Sequence, residues 1–291
     1  MDLNQYGKPA LSEDRIFVPA SAYTLEQLTE IYNQTRVDYI VPMPMNSKRM
    51  ADYVRFYDVD LSLSSVSLNN LHSPTGLVMI AVRGDSAWIT RLGVMPDQRR
   101  RKIGESLMEI SIDRLKMSRM RCIKLEVIRG NEPAQRMFLK LGFVAQRELL
   151  VIRRPPGPIV SSPYPAPATV TPLEPEAIAA CLQERETHVA WTEATASLLN
   201  TQALKGIGVI LASGESGWII YQLSTFELTH VVLHPAASTE MIAVLINQLH
   251  TRHPMHDTKI ENIPRDHPAW PQFQQAGYLE VFSRIEMALW L

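Results

Sequence analysis

The feature that most constrains the fold is a segment that occurs twice in the chain. Residues 124–143, KLEVIRGNEPAQRMFLKLGF, align without gaps to residues 259–278, KIENIPRDHPAWPQFQQAGY. Upstream, ITRLGVMP, which ends at Pro96, resembles LTHVVLHP, which ends at Pro235, so the second copy is four residues shorter between the two markers. A duplicated fold with one shortened loop explains both observations.

Proline divides the chain between the two copies. Residues 154–175 hold eight of the 20 prolines, which remove backbone donors and disfavour helix at the preceding residue. We interpret this stretch as a semi-rigid linker. Since 291 residues suffice for two domains, we predict a first domain at residues 1–153, a linker at 154–175 and a second domain at 176–291.

Apolar residues before the linker alternate between helical and strand periodicity. Two helical segments, 24–36 and 46–58, precede three strand-like segments, of which the last two are joined by a Gly-Asp-Ser hairpin signal. A helix over 103–115, a buried strand over 122–128, a helix with Pro133 in its first turn and a final extended segment follow. The order ααβββαβαβ predicts an α/β domain around a mixed sheet.

Composition limits the kinds of partner. The formal net charge of −1 provides no overall attraction to nucleic acid or to an anionic membrane, and no apolar run reaches the ~18 residues that a membrane span requires. Two cysteines, Cys122 and Cys181, provide neither a disulfide framework nor a cysteine-rich zinc site, and the eight histidines lack metal-ligand spacing. The first residues are polar, unlike a signal peptide. We therefore expect a cytoplasmic protein without metal, nucleic-acid or membrane partners.

The segment RLGVMPDQRRRKIGESLMEI, residues 91–110, carries the clearest chemical signal. It runs from a strand through a basic turn into a helix that begins near Gly104. The first N–H groups of a helix lack internal acceptors and carry the positive end of the helix dipole, and a glycine there lets a ligand approach. Four cations surround this terminus: Arg99, Arg100, Arg101 and Lys102. The segment therefore predicts a pyrophosphate site. Gly93, in the preceding strand, indicates a bulge or a close backbone approach to a ligand.

Two motifs resemble those of a known superfamily. LGVMPDQRRRKIGESLME resembles the coenzyme A-binding segment of the GNAT superfamily of N-acetyltransferases, and NEPAQRMFLKLGF resembles the later motif of that superfamily. The resemblance covers about residues 14–153 and, in degenerate form, the second half. It implies two GNAT-like domains, each a mixed, mostly antiparallel sheet flanked by helices, with acetyl-CoA as the acyl donor. It also implies that the donor is contacted by the following residues: Leu92, Gly93, Val94, Arg99, Arg100, Arg101, Lys102, Ile103, Gly104, Glu105, Asn131 and Phe138.

The resemblance further implies direct attack of an amine on the thioester, and three positions bear on that reaction. The N–H of Val94 matches the position that stabilises the developing oxyanion. Lys102 stands where the family usually has glycine, so it either adds a phosphate contact or forces a different turn. Phe138 stands where the family usually has the tyrosine that protonates the leaving thiolate, so that role is empty or passes to water or another residue.

Several residues admit a structural as well as a functional interpretation. Glu126 lies in an otherwise apolar strand and is either a general base or a structural carboxylate, and Glu261 at the matching place of the second copy favours the latter. Asn131 either only caps its helix or also lies near the pantetheine arm. The basic turn is alternatively a solvated face or a nucleic-acid patch. Four tyrosines of the N-terminal helical region either replace the missing acid or pack in the core: Tyr32, Tyr39, Tyr53 and Tyr57.

The second copy has HPAASTEMIAVL in place of the basic turn, without glycine or arginine. We therefore expect coenzyme A to bind only in the first copy and the second copy to be non-catalytic. These observations predict transfer of an acetyl group from acetyl-CoA to a primary amine of a small molecule or peptide, with the oligomeric state left open. The alternative is a non-catalytic acyl-CoA-binding or regulatory protein, a possibility that Lys102 and Phe138 keep open.

Overall fold

The described residues form two compact units. The structure, a computed structural model, describes residues 15–159, 164, 166–185, 188–201 and 203–291. Unit 1 comprises the described residues up to Glu126 together with Asn131–Val144 and Met287–Leu291, and unit 2 comprises Val127–Gly130 and Ala145–Glu286. This division departs from the predicted boundary after residue 153, because unit 2 takes residues 145–153 and unit 1 takes the last five residues of the chain.

Unit 1 is a mixed, mostly antiparallel sheet flanked by helices, as the sequence predicts. The strands lie in the order β1-β2-β3-β4-β5, and only the β4–β5 pair is parallel. The strands are β1 (Ile16–Pro19), β2 (Val59–Leu68), β3 (Pro74–Arg83), β4 (Ser86–Val94) and β5 (Cys122–Ile128), whose last two residues belong to unit 2. The helices are α1 (Leu25–Gln34), α2 (Ser47–Phe56), α3 (Ile103–Met117) and α4 (Glu132–Lys140).

Unit 2 repeats this architecture: β10–β11 is parallel, and β6–β11, β9–β10, β8–β9 and β7–β8 are antiparallel. Its strands lie in the order β12-β6-β11-β10-β9-β8-β7. The strands are β6 (Val144–Arg154), β7 (Thr169–Pro172), β8 (Leu204–Ile210), β9 (Ser216–Leu223), β10 (Glu227–Leu233), β11 (Asp257–Pro264) and β12 (Leu279–Trp290). The helices are α5 (Pro175–Gln183), α6 (Thr195–Asn200), α7 (Thr239–Arg252) and α8 (Trp270–Gln275).

Local sequence signals explain where several of these elements begin and end. The Thr24 side chain accepts a hydrogen bond from the N–H of Gln27, whose own side chain accepts from the N–H of Thr24, so α1 begins with a capping box. The β3–β4 hairpin turns at Gly84 and Asp85, where Gly84 has a φ of 56° that a side chain disfavours. These starts and stops match the predicted pattern.

The strand β6 ends the first copy in the sequence but pairs with β11 of the second. Ile152 lies opposite Ile260, and the side chains of Leu150 and Ile152 are fully buried in the core of unit 2. The prolines that follow β6 mark where this strand ends, but they do not mark the boundary between the two compact units. The predicted linker is also shorter than expected, because Thr169–Pro172 form the edge strand β7, where proline is tolerated.

The divergence of β4 from β5 prepares the site in unit 1. The two strands pair only from Ser86 to Ile89 of β4, opposite Cys122 to Leu125 of β5. Directly afterwards the β3–β4 register shifts by one residue at Thr90. This bulge turns β4 away from β5, so the last residues of β4 present their backbone groups to a gap in the sheet.

No helix in the described part of the chain is long and apolar enough to cross a membrane. Within the same residues, no cluster of three or more His, Cys, Asp or Glu side chains is arranged to hold a metal ion.

Candidate functional site

The end of β4 directs polar backbone groups toward this gap. The N–H of Met95 donates to the carbonyl oxygen of Thr75 at 2.9 Å, which fixes the side of the strand that pairs with β3. Because N–H groups alternate along a strand, the N–H groups of Leu92 and Val94 point away from β3. The N–H of Val94, which is the predicted oxyanion donor, therefore faces the gap.

Two arginines donate hydrogen bonds to carbonyl oxygens on the same edge of β4. Arg36, just after α1, donates to the carbonyl oxygen of Leu92 at 3.0 Å, and Arg99 donates to that of Val94 at 3.3 Å. With these acceptors engaged, the edge presents its N–H groups to a ligand. A chain bearing carbonyl oxygens matches that edge.

The first turn of α3 presents unpaired N–H groups next to the end of β4. No side chain caps this helix, and its first internal bond runs from the N–H of Ser106 to the carbonyl of Lys102. The N–H groups of Ile103, Gly104 and Glu105 therefore have no acceptor within the helix. A Cβ added at Gly104 would lie 3.5 Å from a methyl of Val94, which places this terminus beside β4.

The basic turn before α3 adopts a strained conformation. Arg100 and Lys102 have φ values of 64° and 60°, in the left-handed region that glycine adopts without cost. Lys102 thus adopts, at some cost in backbone energy, a conformation that glycine adopts freely. The side chains of Arg100, Arg101 and Lys102 are all exposed around the helix terminus. The arrangement can bind a phosphate or pyrophosphate group.

Arg99 serves a different purpose from its three neighbours. Its guanidinium donates two hydrogen bonds to Asp38, at 2.6 and 2.8 Å, and a third to the carbonyl of Thr35 at 3.3 Å. The hydrogen bond and charge of Arg99 hold the pKa of the Asp38 carboxyl below its usual value. Arg99 therefore ties the end of α1 to β4, and its charge is already paired.

Two other predicted contacts are also modified by packing. The Glu105 side chain forms an ion pair with Lys140 of α4. The hydrogen bond from Lys140 lowers the pKa of the Glu105 carboxyl. Only the backbone N–H of Glu105 therefore faces the helix terminus. A Cβ on Gly93 would lie 2.3 Å from the hydroxyl of Thr35. Gly93 thus permits α1 to approach β4 closely, and the bulge expected there lies instead at Thr90.

Glu126 lies on β5 beside a buried aromatic cluster. Its Oε2 accepts a hydrogen bond from the indole N–H of Trp88 at 3.0 Å. The Tyr53 hydroxyl bonds with Thr90 at the bulge, and the Arg91 guanidinium lies 4.3 Å from the centroid of the Tyr53 ring. Burial raises the pKa of Tyr53 to about 12, despite the opposing charge of Arg91. Tyr53 is therefore a poor proton donor at neutral pH.

Asn131 caps α4 and also contacts a tyrosine. Its Oδ1 accepts from the N–H of Ala134 at 3.4 Å, and its Nδ2 lies 3.5 Å from the hydroxyl of Tyr39. The Arg36 guanidinium stacks over the Tyr39 ring at 4.0 Å from the centroid. Tyr39 thus stands between the β4 edge and the start of α4, whereas the Tyr32 hydroxyl is bound to the carbonyl of Met43.

Phe138 is only 5% exposed, and its ring centroid lies 6.0 Å from that of Phe143. The residue is part of the core of unit 1. Sequence reasoning missed Arg36 and Asp38, which contact β4 and the basic turn. They lie in a short polar stretch after α1, and only the folded structure brings them to residues about 60 positions away.

The matching helix terminus in unit 2 is closed by an acidic residue. The Ser238 hydroxyl accepts from the N–H of Met241 at 3.1 Å and caps α7. The carboxylate of Glu215 in turn accepts from both the N–H and the hydroxyl of Ser238, at 2.9 and 2.8 Å. A carboxylate therefore occupies the space in which the first copy offers positive charge, and it disfavours phosphate there.

Comparisons with known proteins concern the family model and the fold. Residues 26–143 match the model of the acetyltransferase (GNAT) family, and no curated protein matches the sequence. A GCN5-related N-acetyltransferase from Sphaerobacter thermophilus superposes with a TM-score of 0.71 at 14% identity, covering 97% of each chain.

Two further solved structures have the same fold. A tandem GNAT protein from the clavulanic acid biosynthesis pathway has a TM-score of 0.68 at 15% identity, covering 95% of this chain and 98% of that one. A putative acetyltransferase from Pyrococcus horikoshii has a TM-score of 0.64 at 14% identity, covering 99% and 93%. The two units thus have the fold of tandem GNAT proteins, and residues 26–143 belong to the GNAT acetyltransferase family.

Proposed function

We propose that the chain transfers an acetyl group from acetyl-CoA to a primary amine of a small molecule or peptide. Domains of this family transfer acyl groups from acyl-CoA. The observation that carries the proposal for this chain is the uncapped start of α3, with the free N–H groups of Ile103, Gly104 and Glu105 beside the diverging end of β4. A thioester carrier with a pyrophosphate fits both features.

The donor is proposed to bind along two surfaces. Its pyrophosphate accepts hydrogen bonds from the first N–H groups of α3, with Arg100, Arg101 and Lys102 supplying positive charge. Its pantetheine amides lie along β4, where their carbonyl oxygens accept from the N–H of Leu92. The N–H of Val94 is left to stabilise the oxyanion that forms when the thioester carbonyl is attacked.

Glu126 is the proposed general base. The attacking amine must lose a proton, and this carboxylate lies on β5, the strand that faces the gap. Its Oε2 accepts a hydrogen bond from the indole N–H of Trp88, which orients the carboxylate. Direct transfer to the amine then requires no acyl-enzyme intermediate.

Tyr39 is the proposed donor of a proton to the leaving thiolate. Phe138 has no hydroxyl and is buried in the core, so the role must pass to another group. Among the four candidate tyrosines, Tyr39 has its hydroxyl near Asn131 at the start of α4, and Arg36 holds its ring against the edge of β4. The hydroxyl is thereby positioned between the two elements that bind the donor.

The second copy is proposed to be non-catalytic. Glu215 and Ser238 close its helix terminus, so it offers no site for a pyrophosphate. The proposal therefore assigns one donor site to residues 1–153 and none to residues 176–291. The acceptor is an amine, and the reaction takes place in the cytoplasm.

The decisive experiment incubates the full-length protein with acetyl-CoA and a panel of small-molecule and peptide amines. Release of the coenzyme A thiol is followed together with mass spectrometry of the amines, so that transfer is distinguished from hydrolysis. An acetylated amine supports the proposal. In addition, Tyr39→Phe should reduce the rate, and Phe138→Tyr introduced into Tyr39→Phe should restore part of it if the two hydroxyls can serve the same thiol.

A second candidate function rests on Phe138, because a protein that only binds acyl-CoA needs no acid for the thiolate. In that case the affinity for acetyl-CoA is the same in Tyr39→Phe as in the wild type, and no amine is acetylated. Coenzyme A binding with no transfer to any amine and no gain from Phe138→Tyr would favour this non-catalytic function.

A further inference from the structure

Unit 2 contains a cavity of about 250 Å³ at the place where β10 diverges from β11. The two strands pair only at Glu227 and Leu228, and β10 then has a bulge between Thr229 and Val232. This is the counterpart of the gap in unit 1. The apolar part of its wall is formed by the side chains of Val189, Val232, Ile260, Ile263 and Phe273, among others.

Most of the charged groups around this cavity are paired with one another. Arg147 forms an ion pair with Glu286 at 2.7 Å. Glu261 is held by Arg284 at 2.8 Å and by Lys259 at 2.6 Å. These ion pairs place polar groups in the cavity wall, but because their charges cancel, the wall carries little net charge.

Arg185 is the exception. Its side chain lines the cavity and donates one hydrogen bond, at 2.9 Å, to the backbone carbonyl of Glu193. The Glu193 carboxylate instead faces His230, whose Nδ1 lies 3.5 Å away. Arg185 makes no ion pair with any residue that the structure describes. Burial lowers the pKa of this guanidinium, and the nearby charge of Glu193 acts in the opposite direction.

A partly buried guanidinium with one neutral acceptor among the described residues has several N–H donors left for a ligand, and a carboxylate satisfies two of them at once. The ligand cannot rely on a phosphate contact at α7, because Glu215 and Ser238 occupy that terminus. The apolar wall suits an uncharged body, and the volume limits that body to a small molecule.

We propose that the cleft of unit 2 binds a small monocarboxylic acid with an apolar body, whose carboxylate pairs with Arg185. The site is separate from the donor site of the first copy and does not depend on the proposed acetyl transfer. It gives the second copy a binding role of its own.

The test uses 4-fluorobenzoate as the probe and ¹⁹F NMR to follow its binding to the full-length protein. We expect 4-fluorobenzoate to bind at least about tenfold more tightly than the neutral 4-fluorobenzamide, as a charge-assisted pair requires. We expect Arg185→Gln to weaken 4-fluorobenzoate about tenfold or more. The matched control Arg252→Gln changes an exposed arginine on α7 that bonds only within its own helix, and should leave binding unchanged.

Saturating coenzyme A should not displace the probe, because the two ligands occupy different copies. Absence of 4-fluorobenzoate binding, equal binding of 4-fluorobenzamide, or displacement by coenzyme A would each overturn the proposal. So would an unchanged affinity in a folded Arg185→Gln. The comparison of acid and amide uses the wild-type protein alone, so it decides the question even if Arg185→Gln does not fold.

Discussion

The two copies each place the start of a helix at the end of a diverging strand, but give it opposite surroundings. In the first copy, α3 begins without a side-chain cap and is surrounded by exposed Arg100, Arg101 and Lys102. In the second, α7 begins with Ser238, to which the carboxylate of Glu215 is bonded. The fold therefore supplies a helix N-terminus in both cases, and a few polar side chains decide whether an anion can reach its N–H groups.

The same comparison applies to the matched glutamates. Glu126 accepts a hydrogen bond from the neutral indole of Trp88. Glu261 is bound by the cations Lys259 and Arg284, whose charges lower the pKa of its carboxyl although burial acts to raise it. A carboxylate that is neutralised by two cations is a weak proton acceptor. Glu126 and Glu261 thus accept hydrogen bonds from different partners at matched positions.

The largest expected effect is on the rate of acetyl transfer, which should depend on Glu126 and not on Glu261. Glu126→Gln should lower the rate of acetyl transfer by about 10²–10⁴-fold, the usual contribution of a general base. Glu261→Gln should leave that rate nearly unchanged. Steady-state kinetics with one amine acceptor measures both, with coenzyme A affinity determined alongside to show that donor binding is intact. Equal losses in the two variants would mean that Glu126 is structural.

The next effect tests the helix terminus. Gly104→Asp should weaken coenzyme A binding by about 100-fold, because it brings a negative charge into the space proposed for the pyrophosphate. Titration calorimetry should also show one site per chain in the wild type. The steric control is Gly104→Ala, whose Cβ meets Val94 at an ordinary contact distance of 3.5 Å and should change affinity only slightly.

The second copy provides the charge control for this prediction. Glu240 already lies at the second position of α7, as Gly104 does in α3. Glu240→Gln should therefore have no effect on coenzyme A affinity. Two equivalent binding sites, or the same loss from Glu240→Gln as from Gly104→Asp, would contradict the difference between the copies.

A third effect concerns stability and its pH dependence. The pKa of Glu261 is lowered in the folded protein, so its ion pairs stabilise the fold above the pKa of the unfolded chain and lose that effect as the pH falls. The Glu261 side chain is 34% exposed, so solvent screens the pairs, and we expect Glu261→Gln to lower the free energy of unfolding by about 1 kcal/mol at pH 7.

Urea unfolding at a series of pH values measures this effect. The difference between wild type and Glu261→Gln should shrink as the pH drops below about 4, where the unfolded carboxyl takes up its proton. Lys205→Gln, which removes an exposed charge on β8, serves as the control and should show no such trend. A pH-independent difference would indicate that packing, not charge, accounts for the loss.

Much of this fold could be predicted because its signals are local. The hairpin at Gly84, the cap at Asn131 and the free start of α3 each depend on neighbours within a few residues along the chain. The repeat adds the rest of the architecture, since a motif found twice implies the same fold twice.

The unpredicted features all depend on contacts between distant residues. The sequence predicts a donor contact at Arg99, and nothing near it in the sequence reveals Asp38 as a partner of its guanidinium. Gly93 suggested a bulge, but the glycine is needed because Thr35 of another element packs against it. The hydrogen bond from the Ser238 cap of α7 to Glu215 likewise joins residues more than twenty positions apart. Side-chain roles of this kind require the fold to be known first.

The smallest expected effect is on stability, and it differs between the residues that precede α3 and α7. Lys102 has a left-handed backbone, with a φ of 60°, whereas Ser238 has an ordinary φ of −64°. Lys102→Gly removes a cost of about 1–2 kcal/mol but adds flexibility to the unfolded chain, so we expect a net gain in stability below about 1 kcal/mol. Ser238→Gly should have the opposite sign, because it removes a cap that also bonds Glu215. Chemical denaturation of both variants measures the contrast.

Lys102→Gln separates conformation from charge in the same experiment. It keeps a side chain in the left-handed turn and removes the cation, so it should leave stability unchanged while weakening coenzyme A binding a few-fold, as expected for one exposed charge near a phosphate. If Lys102→Gly destabilises the protein as Ser238→Gly does, the turn before α3 is held by the lysine side chain. Lys102 would then have a structural role, and the N–H groups at the start of α3 would depend on it.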